Sequence, residues 1–304
     1  MKNTLTDVII EARSLTKQFG KLKALDGFNL QVQAGEVHGF LGPNGSGKST
    51  TVRILLGLMK KTSGEVRLYG QDPWKQAVDL HKRLAYVPGE VSFWPNLTGG
   101  EIIDLLGCLR GGLDETRRQE LIAKFELDPR KKFKTYSKGN RQKVALIAAL
   151  ASDVELYIFD EPTSGLDPLM ESLFQDEVRG LKRRGKTILL SSHILSEVES
   201  LCDRVTIIRR GRTVEAASLD ELRQKHRAVM VVKTNDDLSQ LANTDGVYNF
   251  KVTSDGAKFE LDSAQTSQVL KQLSNYDISH LSSHPPALED LFLRHYDDSS
   301  TEVK

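Results

Sequence analysis

The stretch Gly39-Phe40-Leu41-Gly42-Pro43-Asn44-Gly45-Ser46-Gly47-Lys48-Ser49-Thr50 constrains this chain more than any other. From Gly42 to Ser49 it fits G-x-x-x-x-G-K-[ST], a phosphate-binding loop. Its flanks agree: Val37 to Leu41 reads as a short buried strand, and Thr51 to Met59 has the apolar spacing of a helix. A glycine-rich turn between strand and helix can curl until successive N–H groups face inward, and the helix N-terminus adds partial positive charge. Lys48 is then placed to reach the β- and γ-phosphates, and the Ser49 hydroxyl to ligate Mg²⁺. The expected ligand is a nucleoside triphosphate, and the expected core is α/β.

Composition narrows the setting. The 304 residues allow one large domain and a small one. Lys and Arg number 42 against 41 Asp and Glu, so no global basic field points to nucleic acid. The two cysteines, Cys108 and Cys202, form no spaced motif and fit a reducing compartment. Met1 to Ile10 lacks a secretory pattern. The longest apolar run, Val144 to Ala151, falls short of the ~20 residues of a membrane helix. Work at a membrane would need another subunit to span it.

Along the chain, Val8 to Leu15 and Ala24 to Val32 read as strands, separated by a turn at Thr16 to Gly20. Glu65 to Tyr69 is a further strand. From Pro88 to about Leu150 the pattern turns helical, with turns at Thr98-Gly99-Gly100 and Asp128-Pro129. Ser137, Lys138, Gly139 and Asn140 open an apolar helix, where an anion would be welcome; an ordinary Ser N-cap accounts for Ser137 equally well. Leu156 to Glu161 is an apolar strand ending in two acids. Asp160 suits a magnesium shell, and Glu161 suits deprotonating an attacking water. Thr187 to Ser191 is another strand, delivering His193 to the side where parallel sheets bind ligands.

Taken in order, these segments resemble the nucleotide-binding subunit of an ATP-binding cassette (ABC) transporter. Gly42 to Ser49 matches that family's Walker A motif and Tyr157 to Glu161 its Walker B. Ser137 to Gln142 resembles its signature, Ser164 to Asp167 its D-loop, His193 its switch histidine and Phe19 its adenine-stacking aromatic. The likeness runs from about Val8 to Arg223. It implies a P-loop NTPase core of ABC type, with a mixed sheet, an antiparallel β subdomain and a helical insertion over about 88–150. It further implies ATP and Mg²⁺ as ligands, Asp167 at the dimer contact, and two ATPases pairing head to tail, each capping the other's ATP with its signature helix. The pair would be a homodimer or include a second ATPase. It would lie in the cytoplasm, peripheral on the inner face of the cell membrane, and drive a separate permease. The rival class is a soluble ABC ATPase acting on ribosomes, DNA or protein assembly. Such proteins usually show a second cassette, a long coiled coil or a basic arm, and none is visible.

Two positions depart from the family. Lys138 and Asn140 replace the first Gly and the Gln of the usual Leu-Ser-Gly-Gly-Gln, a variant that resembles the drug- and antibiotic-exporting branch. After Tyr86-Val87-Pro88 the family has a Gln; here the slot holds Gly89, so either Glu90 substitutes or the link runs through backbone and water. Just beyond, Phe93 and Trp94 either pack the insertion on the core or wall a groove for a permease helix.

Past residue 225 a small α+β domain is expected over 226–296, with a frayed tail over 297–304. Its order βαββαβ predicts a ferredoxin-like fold, with Val247 to Thr253 and Ala257 to Leu261 alternating about the Asp255-Gly256 turn, and a last helix over Ala287 to Tyr296. The basic runs Arg130 to Lys134 and Arg223 to Arg227 read as solvated faces, the first with an inner-leaflet contact as an alternative.

Overall fold

The five-residue strand before the phosphate loop is buried throughout, with neighbouring strands on both sides. We describe residues 8–225, 227–262 and 265–284 of a computed structural model. The chain divides into two compact units at Ala217/Ser218.

In the first unit, β1 (Val8–Phe19) and β2 (Leu22–Gln33) form a long antiparallel hairpin. The turn falls at Gly20-Lys21, not at Thr16 to Gly20, because register shifts around Leu15 and Lys17 keep the polar stretch paired. Next come β3 (Val37–Leu41), α1 (Lys48–Leu55), β4 (Ser63–Leu68), α2 (Ala77–His81) and β5 (Leu84–Val87). The insertion contributes α3 (Gly99–Leu109), α4 (Glu115–Lys124), a 3-10 turn at Phe133–Thr135 and α5 (Lys138–Leu150). Gly99 and Gly100 open α3 instead of forming a loop. Thr98 and Glu101 make a reciprocal capping box, and the Tyr136 ring occupies the space a Cβ on Gly99 would need. The chain closes with β6 (Leu156–Asp160), α6 (Pro168–Arg183), β7 (Thr187–Ser192), α7 (Leu195–Leu201), β8 (Arg204–Arg209) and β9 (Arg212–Ser218).

Two sheets result. One is antiparallel, ordered β2-β1-β4; the other has six strands, ordered β5-β6-β7-β3-β8-β9, with parallel pairing from β5 through to β8. The core includes Ile10, Phe28 and Leu68 of the first sheet, Phe40, Ile158 and Leu189 of the second, and Val52, Ile54 and Leu55 of α1. Fully burying a side chain such as Phe40 contributes ~1.5–3 kcal/mol, and α1 is fixed by this burial.

The second unit holds α8 (Leu219–Lys225), β10 (Ala228–Thr234), a 3-10 helix at Ser239–Asn243, β11 (Val247–Thr253), β12 (Gly256–Leu261), α9 (Thr266–Leu273) and β13 (Ile278–His284). Ser218 and Glu221 cap α8 reciprocally. The sheet is antiparallel in the order β11-β12-β10-β13, the ferredoxin-like arrangement, over a core of Met230, Val232, Phe259, Leu261, Val269 and Leu273. Alternation along β11 breaks at Asn249, whose φ of 50° makes a bulge between Tyr248 and Lys251. The helix expected over Ala287 to Tyr296 and the tail from Asp297 lie outside the described residues.

Candidate active site

Three adjacent parallel strands end level with one another. Leu41 pairs with Ser192, and Asp160 with Ser191, so the residues that follow (Gly42, Glu161 and His193) emerge side by side at the carboxyl edge of the sheet. At this edge the sheet order brings β3 in beside β7, although they are far apart in sequence.

The phosphate loop is shaped by contacts a side chain would block. A Cβ on Gly42 would lie 2.4 Å from the Ile208 carbonyl, and one on Gly47 would lie 2.8 Å from that of Ala24; Gly47 also has φ 118°. Ser46 N–H donates to the Pro43 carbonyl at 3.1 Å. Gly47 is the N-cap of α1 and offers no side chain, and no acid sits in the first turn, so that helix end keeps its positive character. Pro43 is partly buried, Asn44 and Gly45 are exposed, and Thr50 is half-buried beside the exposed Ser49.

Lys48 is only 5% exposed and folds back on its own loop, donating to the carbonyl of Gly42 at 2.5 Å and reaching that of Pro43 at 3.4 Å. Burial pushes its ammonium below the usual lysine range, opposed by the charges of Glu161 and Asp160. Its Nζ lies 3.8 Å from Glu161 Oε1, and that same oxygen lies 3.3 Å from His193 Nδ1. Glu161 is 28% exposed and held at φ 50°, unusual for a non-glycine residue, with its N–H donating to the Ser191 carbonyl at 2.8 Å.

Asp160 is buried, and its Oδ1 has no hydrogen-bond partner. Burial, with the Glu161 charge adding, holds its carboxyl above the usual range against the pull of Lys48. An orphaned carboxylate oxygen beside the Ser49 hydroxyl is a donor set that fits Mg²⁺, which commonly takes one or two carboxylates plus substrate phosphates.

Asn44, Ser49, Asp160, Glu161 and Lys138 line one cleft of about 1000 Å³. Ser137, Gly139, Asn140 and Asp167 do not; with Lys138 they line a separate hollow. There Ser137 caps α5 by accepting from Asn140 N–H at 3.3 Å, and Asp167 caps α6 by accepting from Met170 N–H at 3.0 Å. Lys138 donates to Ser164 Oγ at 2.8 Å, joining the two caps within one chain. Phe19 lines neither. It is 45% exposed at the end of β1, paired with Leu22 and with Lys17 Nζ 4.8 Å from its ring centre.

Sequence reasoning missed Arg53 altogether and gave Tyr86, Arg141 and Gln142, within segments it named, no part in this cleft, although all four line it. The spacing of Arg53 four residues after Ser49, on one face of α1, could have found it. Glu90 is exposed on the cleft wall, and Gly89 packs on the catalytic strand: a Cβ there would meet the Asp160 carbonyl at 3.0 Å. Phe93 and Trp94 part company. Phe93 is half-buried, 5.5 Å from the Phe133 ring, whereas Trp94 is 49% exposed.

Comparison with known proteins places this arrangement. Residues 25–164 match the family described as ABC transporter, and residues 218–296 match the C-terminal domain of DrrA1-3-like ATP-binding proteins. The ABC transporter ATP-binding protein YhaQ of Bacillus subtilis (strain 168) is 33% identical over 290 residues, 92% of this chain and 95% of its own length. The bacitracin transport ATP-binding protein BcrA of Bacillus licheniformis is 31% identical over 295 residues, 94% of this chain and 96% of its own. Among solved structures, the dimeric bacterial ABC transporter cassette MJ0796 superposes with a TM-score of 0.63 at 26% identity, over 69% of this chain and 98% of its own. With its phosphate loop, Asp160, Glu161 and His193 assembled on this fold, the chain belongs to the ABC transporter family, as one of its ATP-binding and ATP-hydrolysing subunits.

Proposed function

We propose that Glu161 is the general base of this ATPase, that two cassettes pair around ATP, and that the pair drives export of a drug-like or antibiotic compound through a separate permease. The observation that carries the reading is Glu161 Oε1, which lies within 3.8 Å of Lys48 Nζ and 3.3 Å of His193 Nδ1 at the mouth of the phosphate loop.

The loop N–H groups and Lys48 bind the β- and γ-phosphates; a triphosphate would also restore the charge environment that burial denies Lys48. Ser49 and Asp160 would hold Mg²⁺, which when bound supplies charge neutralisation across the phosphate oxygens. Glu161, partly exposed, takes a proton from water aligned on the γ-phosphate, and His193 orients Glu161 and that water. Phe19 offers its open ring to the adenine.

The signature residues Ser137, Gly139 and Asn140 line a hollow apart from the cleft of Ser49, Asp160 and Glu161, which supports their use on a partner's ATP. The family's usual Gly is Lys138 here. Export is supported by the DrrA-like C-terminal match and by the bacitracin transport relative. No helix among the described residues is long and apolar enough to cross a membrane, and the reading assigns the transport path to a partner. That partner would hold this subunit peripherally at the inner face of the membrane.

Trp94, on the connector entering the insertion, is the proposed permease contact. Phosphate release from ATP by the purified chain tests the base, with Glu161→Gln as its control. Co-purification with a co-expressed polytopic membrane permease tests the partner. Trp94→Ala is expected to lower that co-purification while basal turnover and melting temperature hold, and unchanged assembly would end the docking role.

A further inference from the structure

Gly89 leaves a question that the side chains around it answer. Strand β5 runs in register with β6, with Val87 paired to Phe159, so Pro88 and Gly89 emerge directly beside Asp160 and Glu161. Gly89 has no side chain to carry a link between this segment and the catalytic carboxylates, and Glu90 points to the exposed wall. Nearby, in the first turns of α5, Gln142 is 2% exposed. Its Nε2 donates to the Pro162 carbonyl at 2.9 Å and reaches the Pro88 carbonyl at 3.5 Å, the outer limit of a hydrogen bond. A primary amide has two N–H donors, and here each is aimed at a proline carbonyl, one directly after Glu161 and one directly before Gly89.

We infer that Gln142 is a positioning residue, taking over from inside the protein the link that position 89 cannot supply. It ties the helical insertion, through α5, to the backbone on both sides of the catalytic edge. A shift of α5 therefore moves Pro162, and with it the left-handed Glu161, in step with the Pro88-Gly89 segment. Burial makes the Pro162 half of the link stiff, since that carbonyl, if it loses its donor, has no water to replace it. The inference rests on the reading of Glu161 as general base.

The test uses the full-length chain. Gln142→Met keeps the volume and removes both donors. We expect kcat for ATP to fall about 10- to 100-fold, the scale on which small misplacement of a reacting group costs rate, with KM close to wild type. We also expect ATP-induced protection from amide exchange in the 88–97 segment to disappear. Wild-type kcat with a lower melting temperature would overturn the inference, leaving Gln142 as packing; so would retained ATP-induced protection. If Gln142→Met is insoluble, Gln142→Asn decides by the same readouts, because it keeps the amide but falls one methylene short of spanning both carbonyls. A wild-type chain that does not hydrolyse ATP would overturn the function reading itself; wild-type turnover together with normal kcat in the variant would overturn this inference alone.

Discussion

The two units of this chain handle buried polar groups in opposite ways. Around the carboxyl edge of the parallel sheet, Ser46 Oγ, Asp160 Oδ1, Ser191 Oγ and Glu197 Oε1 are buried with no hydrogen-bond partner, and Glu161 is held in a left-handed conformation. Among the described residues of the second unit no buried side-chain polar atom is left so, and positive φ values are confined to turns and one bulge at Gly246, Asn249 and Gly256. An unpaired buried polar atom costs about 1–3 kcal/mol, so the first unit carries a cost at its edge that the second does not. The contrast sets the strained, unpaired groups at the carboxyl edge of the first unit.

The comparison is broken most directly by removing the phosphate loop's cation. Lys48→Ala is expected to weaken ATP binding by about 100-fold or more, on the scale of a charge-assisted contact, as read by equilibrium nucleotide titration. Normal affinity would mean that the edge is not the nucleotide site. Glu161→Gln should retain binding, lose about 10²–10⁴ in turnover and accumulate an ATP-bound dimer on size exclusion.

Asp160→Asn sharpens the contrast through stability. Burial raises the folded-state pKa of Asp160, so the folded form holds its proton to higher pH than the unfolded chain does. That contribution to stability is present at low pH and is lost as pH rises through the raised value. The neutral amide removes the penalty, so the variant should melt a few degrees higher than the wild type at neutral pH, by calorimetry without nucleotide, while losing ATPase activity. A lower melting temperature would show that the carboxylate is structural.

The smallest effect is expected from ending the chain at Ala217. The first unit has its own core, and its cleft is lined entirely by its own residues, so ATP affinity and turnover should stay near those of the full chain. A truncated chain that is insoluble or binds no ATP would erase the distinction between the units.

The ordered motifs were legible in the sequence because each depends on local chemistry. Glycines at the loop, a hydroxyl and a lysine in register with it, acids at the end of an apolar strand, and a reciprocal cap at Ser218 and Glu221 need only near neighbours to act. Turn positions were less legible: bulges carried β1 past Thr16, and Gly99 begins α3 packed against the Tyr136 ring. Both depend on partners distant in sequence.

Sequence by itself determined that this chain would build a phosphate loop between a buried strand and a helix, with an Asp-Glu pair and a histidine at the ends of later strands. Only tertiary structure decided that Glu161 meets both Lys48 and His193, that Lys138 reaches Ser164 on the cleft wall, and that Gln142 stands between Pro88 and Pro162. The physical reason is the order of the parallel strands. It brings together ends separated by more than a hundred residues, and a single amide buried between two backbone segments leaves no periodic trace in the chain that encodes it.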